Sequence, residues 1–376
     1  MQLDINIVCT SLIRLGRLVY DWVMVDQELS LFHDTTPVLS ISELMAHLPS
    51  PEHLWAIDNA QAWLDAMRSL YQNVNPQLLS TLSLTPSLRS LFQDFLEDHL
   101  SKKRGGPTPQ QLRLLLHPIQ AMLCNARQIL SCFSDALNTR SDDFPALTKQ
   151  STFGHLNEVR SLLRKWHNLN KLHDQQPDSE ISRTNLVLYH LMSMSAVTNF
   201  PEIERLARRE GHDGTYLALI VLHKHCIYHR EEAIFHSGQV FRLVRSMPWN
   251  RRPSWWAAAI YRATLVLFAD CVSRKDPNFP KCDDVMHGNL PVAVDQLTLE
   301  DPAAQAYLWQ GQGVPVLTRT DGNGSVDLES PSEVLGHALK TLEEGAILGI
   351  VDGIKRKLKA LGTYWQIQGF FAPGHV

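Results

Sequence analysis

Apolar residues in this chain recur at three- and four-residue steps nearly from end to end, and almost nowhere alternate with period two. Between Ile7 and Phe32, the side chains Leu15, Leu18, Val19, Trp22, Val25, Leu29 and Phe32 fall at such steps, the stripe of an amphipathic helix. Helix starts are written repeatedly as a hydroxyl residue followed by proline: Ser50-Pro51, Thr85-Pro86, Thr108-Pro109 and Ser330-Pro331. The hydroxyl accepts a backbone N–H that has no helical partner, and proline gives up only a donor that would have had none. The pattern places helices at about 52–72, 87–101, 109–137, 153–173, 183–198, 201–210, 213–229, 232–246, 254–274, 301–311 and 332–361. One strand pair is expected near 314–328, where Val314 to Thr320 and Ser325 to Leu328 flank the turn sequence Asp321-Gly322-Asn323-Gly324. The expected fold is all-α, an irregular multi-helix domain with one small β-hairpin.

A chain of 376 residues, 44% of them hydrophobic, can bury a large core, and 20% charged residues is too few for a disordered one. Breaks are expected at 102–107, 140–150, 174–180 and 275–291, with Asp174-Gln175-Gln176-Pro177-Asp178-Ser179 the best internal linker. Length alone suggests roughly two or three domain-sized units, and no fixed-period repeat is present, which leaves an irregular helical stack open.

The most apolar run, Trp255 to Val272, contains Arg262 and Asp270, which argues against a membrane span. The N-terminus lacks the basic and apolar regions of a secretory signal. The chain is therefore expected to be soluble and without membrane contact. The six cysteines form no C-x-x-C pair, which removes zinc-ribbon and zinc-finger spacings and fits a reducing compartment. A net charge of −4 gives no global attraction to nucleic acid.

Candidate chemistry is sparse. In His223-Lys224-His225-Cys226-Ile227-Tyr228-His229, His225 and His229 would lie one turn apart on a helix, a zinc-ligand spacing. No glutamate follows the first histidine and no third ligand is nominated, so a half-exposed helix face is the better reading. Asp142-Asp143 and Asp283-Asp284 lack the further carboxylate that magnesium–diphosphate chemistry on a helix requires. The sequence has no nucleophile elbow, phosphate loop or dinucleotide fingerprint. No catalytic, cofactor-binding or metal-binding residue is nominated. Three basic groups remain: Lys102-Lys103-Arg104, Arg245 with Arg251 and Arg252, and Lys355-Arg356-Lys357-Leu358-Lys359. The last is a nuclear-import or phosphate-contact candidate, read more simply as a solvated helix face.

Two stretches carry a resemblance. Arg17-Leu18-Val19-Tyr20-Asp21-Trp22, followed by Asp26 to Leu44, Leu48 to Trp55 and Gln61-Ala62-Trp63-Leu64, resembles the fungal-specific transcription factor domain, the middle homology region of fungal regulators. It is most similar to members that carry two-Cys two-His zinc fingers. Ser332-Glu333-Val334-Leu335-Gly336-His337-Ala338-Leu339 and Asp352 to Leu358 are similar to the end of that subgroup. The resemblance brackets most of the chain and implies one all-helical regulatory domain over 1–376. After the bend Phe32 to Pro37, Leu39, Ile41 and Leu44 are expected to pack inward, and Trp55 and Trp63, two turns apart, to line one face of the next helix. The resemblance carries no catalytic residues.

The zinc module that such regulators use to hold DNA has no counterpart in this sequence. Either further coding sequence lies upstream, or the chain is a stand-alone regulatory protein that reaches DNA only through a partner. The resemblance implies a nuclear, non-enzymatic transcription regulator, without cofactor, contacting the transcription machinery or a DNA-binding regulator. Control of a secondary-metabolite gene cluster is the expected specialisation. The alternative is a helical biosynthetic enzyme whose site is assembled from distant helices and leaves no local motif.

Overall fold

The computed structural model describes residues 2–49, 57, 59, 61–62, 65–66, 69, 86–102, 106–138, 146–173, 180–208, 226–274, 290–320, 322, 324–345 and 349–365. Among them lie eleven α-helices: α1 (Gln2–His33), α2 (Leu88–Leu96), α3 (Pro109–Asn138), α4 (Ala146–His173), α5 (Glu180–Ala196), α6 (Phe200–Ala207), α7 (Arg230–Ser246), α8 (Trp256–Arg274), α9 (Pro302–Gln310), α10 (Pro331–Glu343) and α11 (Gly349–Tyr364). Three short strands, β1 (Pro291–Ala293), β2 (Val314–Thr318) and β3 (Ser325–Asp327), form one small sheet. The expected all-α class with a small β element is what the chain adopts. It divides into two compact units, one of residues 1–125 with 164–175, the other of 126–163 with 176–376. The expected linker at 174–180 lies almost wholly outside the described residues.

In the first unit α1 forms as read, but its apolar stripe is not the packed face. The buried residues are Tyr20, Val23, Gln27, Ser30 and Leu31, whereas Leu18, Trp22, Val25 and Leu29 are exposed. The Tyr20 phenol donates to the Ala46 carbonyl at 2.5 Å and accepts the Leu88 N–H at 3.2 Å. It thereby ties α1 to the segment after it and to the start of α2. Of the three residues expected to turn inward after the bend, Leu44 is buried and Leu39 and Ile41 are half-buried. Trp55 and Trp63 lie outside the described residues.

The hydroxyl–proline starts behave unequally. At α3 the Thr108 hydroxyl accepts the Gln111 N–H at 3.2 Å and the Gln111 side chain accepts the Thr108 N–H at 2.9 Å, a reciprocal cap. Helix α2 is instead capped by Ser87, whose hydroxyl accepts the Ser90 N–H, while Pro86 stays outside the helix. Its carbonyl accepts the Leu48 N–H. At α10, Ser330 caps without a side-chain bond, and the Ser50-Pro51 start is outside the described residues.

In the second unit α8 is the centre. Nearly all of its residues are buried, and α5, α6, α7, α10 and α11 pack against it. By length and composition it is apolar enough to cross a membrane, yet here it is the interior of a folded unit. Its two buried charges are matched internally: Asp270 takes Arg230 through two bonds of 2.8 and 3.0 Å, and Arg262 lies 4.1 Å over the Phe200 ring.

The helix expected over 332–361 is broken into α10 and α11. Trp256 of α8 comes so close to Gly345 that a Cβ there would sit 2.3 Å from the indole. The chain can pass that ring only with a glycine, and α10 has already ended. The helix expected over 213–229 falls mostly outside the described residues, but its end is not helical: Ile227 bridges Thr198 in antiparallel fashion and His229 caps α7.

The expected hairpin is present as β2 and β3, with Leu317 opposite Val326 and both buried. Beyond it, β1 pairs with β2 in parallel, Val292 opposite Pro315, inside a stretch that begins where an irregular break was expected to end. The crossover between them is α9, ended by Gly311 at φ 65°, whose N–H bonds the Tyr307 carbonyl.

Helix α7 meets this sheet at Gly238, where a Cβ would lie 2.6 Å from the Val294 side chain and 2.9 Å from its backbone. Alanine ordinarily favours a helix interior over glycine by about 1 kcal/mol. Here the clash with backbone outweighs that gain, so Gly238→Ala is expected to destabilise the protein by roughly 1–3 kcal/mol. Gly336→Ala on α10, where nothing lies within 4 Å, is expected to be neutral or stabilising. Urea unfolding midpoints of the two variants measure the contrast.

Candidate functional site

The histidine run does not assemble into a ligand set. His229 stands at the cap of α7, and its Nε2 lies 3.1 Å from the Arg160 guanidinium, so the ring accepts a hydrogen bond as a neutral imidazole. Burial first, and then the Arg160 charge, pushes its pKa below the usual value. Arg160 also bonds Glu232. His223 and His225 lie outside the described residues, as do both Asp-Asp pairs. Among the described residues no group of three or more His, Cys, Asp or Glu side chains converges as a metal site would.

The histidines that do meet are ones no spacing nominated. His190 on α5 and His236 on α7 bring their Nδ1 atoms within 2.8 Å, both buried, with Tyr189 edge-on to each ring. One ring must donate Nδ1–H and the other accept, so the two carry opposite tautomers across this contact. They stand 46 positions apart, and no local pattern could have paired them.

The basic cluster Arg245, Arg251 and Arg252 separates into different tasks. Arg245 donates to the Thr318 carbonyl at 3.0 Å and faces Asp295 at 3.6 Å. The same Asp295 carboxylate accepts the Thr318 N–H and hydroxyl. Gln239, on the same helix, donates to the carbonyls of Val294 and Leu297 at 2.7 and 2.6 Å. These bonds fasten α7 to the sheet. Arg252 lies over Trp256 and faces Glu344, and Arg251 is exposed. His337 of α10, buried against Phe241, sits in the field of this junction; burial, then Arg245, Lys340 and Arg319, hold its pKa down at about 4. The basic group of α11 is largely outward: Arg356, Lys357 and Lys359 are exposed, with Lys357 over the Tyr261 ring. Of Lys102-Lys103-Arg104 only Lys102 is described, ending a short 3₁₀ turn.

In the first unit the contact between α1 and α3 is polar. Glu28 receives Arg113 at 2.8 Å, Asp26 lies 3.5 Å from His117, and Ser30 meets Cys124 at 3.7 Å. Arg113, His117, Gln120 and Cys124 follow at steps of four, three and four, one stripe of α3. Asp26 also accepts the N–H groups of Val38 and Leu39, each at 3.0 Å, which fixes the bend after α1. The opposite side of α1 carries the exposed Leu18, Trp22, Val25 and Leu29.

Comparison with known proteins points to one class. The chain is 45% identical, over 93% of its length, to a protein of Pestalotiopsis fici named transcription factor PfmaH. It is 41% identical, over 92% of its length, to one of Elsinoe fawcettii named transcription factor 1, and 28% identical, over 93%, to transcription factor opdJ of Penicillium oxalicum. These alignments cover 36%, 35% and 45% of the respective relatives, so the chain spans about a third to under a half of their length. No family model matches the chain, and no solved structure matches it.

His337 makes stability depend on pH. The unfolded chain protonates this ring near its ordinary value of 6.5 and the folded one not until about 4, so acid favours the unfolded state in between. Stability from this group is intact above pH 6.5 and falls by on the order of 3 kcal/mol by pH 4. Urea unfolding at pH 7, 5.5 and 4.5 should show His337→Leu losing less stability toward acid than the parent. Equal slopes for both proteins would exclude this assignment.

Proposed function

We propose that the chain is a helical regulatory region of a fungal transcription regulator, working in the nucleus through protein contacts and without catalysis of its own. The observation that carries this reading is 41–45% identity, over more than nine tenths of the chain, to fungal proteins named transcription factors. The resemblance at Arg17 to Leu44 and at Ser332 to Leu358 supports its assignment to the fungal-specific regulatory domain. The structure accords with that role. Its buried charges are spent on holding helices together, as Asp270 with Arg230 and Asp295 with Arg245, while α1 and α11 present unspent apolar and basic faces.

On this reading DNA is reached through a DNA-binding partner or module, and the exposed cations of α11 serve nuclear import or phosphate contact. Control of a secondary-metabolite gene cluster is the specialisation we favour. Deleting the gene and profiling transcripts under producing conditions tests the reading. A coordinated fall or rise of a set of clustered genes is expected, restored by the wild-type gene. Unchanged transcripts together with the arrest of a single small-molecule conversion would show an enzyme instead.

A further inference from the structure

We propose that the outer face of α11 lies along the sugar–phosphate backbone of double-stranded DNA and holds it without reading its bases. This rests on the reading of the chain as a transcription regulator and gives the second unit a nucleic-acid contact of its own. In α11 the side chains Lys355, Lys359, Asp352, Thr363 and Arg356 fall within an arc of about 100°, outside the arc that buries Val351, Ile354, Leu358 and Leu361. Asp352, Arg356, Lys359 and Thr363 are exposed and Lys355 is half-buried. Among the described residues no carboxylate makes an ion pair with Lys355, Arg356 or Lys359. Lys357 is set apart from them, 5.5 Å over the Tyr261 ring.

Helix stability does not account for this row. The last turn of α11 holds no cation, so the row does not serve the negative pole of the helix. Lys355 and Lys359, four residues apart, repel each other across one turn and oppose the helix that carries them. Asp352, the one acid on this face, stands before them all in the first turn. The helix is nonetheless held firmly. Leu358, among the cations, is fully buried, and the Trp365 indole donates to the Ala207 carbonyl at 2.8 Å, at the end of α6. The cations are thus fixed on a rail. A partner that reads them in an extended strand would first have to unfold α11.

The chemistry of the row selects its occupant. Lys, Arg and Thr side chains are the donors that phosphate oxygens take. Lys355, Lys359 and Thr363 recur at about 6 Å along α11, close to two phosphate steps of one DNA strand, about 6.8 Å. A protein partner would need an apolar core to the contact, and an anionic membrane an apolar face to take up. The row offers neither, since the exposed Ile350 and Tyr364 stand at the two ends of α11 and on its other side. The exposed Glu343 and Glu344 precede α11, whereas the cations stand in its second and third turns. The net charge of −4 does not forbid the contact. At 0.1 M salt a charge is felt over only about 10 Å, so a phosphate strand at α11 meets these cations rather than the charge of the whole chain.

The full chain can be titrated by anisotropy against a fluorescent 20-base-pair duplex of mixed sequence at 50, 100 and 200 mM salt. The logarithm of affinity is expected to fall against that of salt with a slope of about −3, roughly one counterion for each cation of the row. A second duplex of unrelated sequence should bind within about twofold. Changing Lys355→Gln, Arg356→Gln and Lys359→Gln together should weaken binding at 50 mM salt at least about tenfold and flatten the slope. Lys355→Arg with Lys359→Arg should keep it, and Asp352→Asn should tighten it by about twofold or more. Lys102→Gln, at an exposed cation of the first unit, should change nothing. Glutamine suits a helix as well as lysine does, so circular dichroism and urea midpoints of the triple variant should match the parent. If they do not, Asp352→Asn and the salt slope of the parent decide. Absence of binding at 50 mM salt, or binding that the glutamine changes leave intact, overturns the proposal. So does tighter binding of a polyglutamate peptide, of double-stranded RNA or of phosphatidylserine vesicles than of the duplex. The titration and the gene deletion fail separately. Transcripts that shift on deletion while the chain holds no DNA overturn the surface but not the regulator. Unchanged transcripts with DNA held through α11 overturn the regulator and leave the surface.

Discussion

A helix with almost no polar face is stable in water only when other chain encloses it, and α8 imposes that demand on the second unit. Five helices, α5, α6, α7, α10 and α11, answer it, and their placement follows from what α8 presents. Its Asp270 would be costly in that interior without a cation, and Arg230 at the start of α7 supplies one in two-pronged geometry. Its Trp256 takes Arg252 over the ring and lies so close to Gly345, just past the end of α10, that only glycine fits there. The small sheet is attached one layer out, through Gly238, Gln239 and Arg245 on the far side of α7.

What was legible in the sequence is local. The Thr108–Gln111 cap announces α3 because both partners lie within one turn, and Asp321-Gly322-Asn323-Gly324 announces the hairpin because a tight turn needs such residues. What was not legible depends on distant neighbours. Strand β1 is three residues long, too short for any period, and becomes a strand only because β2 lies beside it. The need for glycine at position 345 comes from Trp256, some ninety positions away. The pairing of His190 with His236 has no local trace, whereas the tempting His225–His229 spacing assumed a helix that has ended by Ile227.

Helix α1 is the case where periodicity was read correctly and its meaning was not. A stripe of Leu, Trp and Val at seam spacing says that one side of a helix seeks apolar company. It does not say that the company comes from the same unit. The first unit instead packs α1 through Tyr20, Val23 and Leu31 around a polar middle, where each sealed but unpaired group costs roughly 1–3 kcal/mol.

That inversion bears on how the unit responds to contact. Among the described residues its own fold holds α1 through Tyr20, Val23 and Leu31 and through the bonds of Tyr20, Asp26 and Glu28. Covering Leu18, Trp22, Val25 and Leu29 would add apolar burial of the kind the inner face lacks, at about 25 cal/mol for each Å² removed from water. Any partner that binds there favours the folded state over the unfolded one by mass action. The bend after α1 is fixed by Asp26 on that same helix, so an added constraint on α1 passes directly to the segment from Val38 to Leu48 and, through Tyr20, to the start of α2. A constraint on α1 is in this way a constraint on what Tyr20 and Asp26 hold, the bend after the helix and the start of α2.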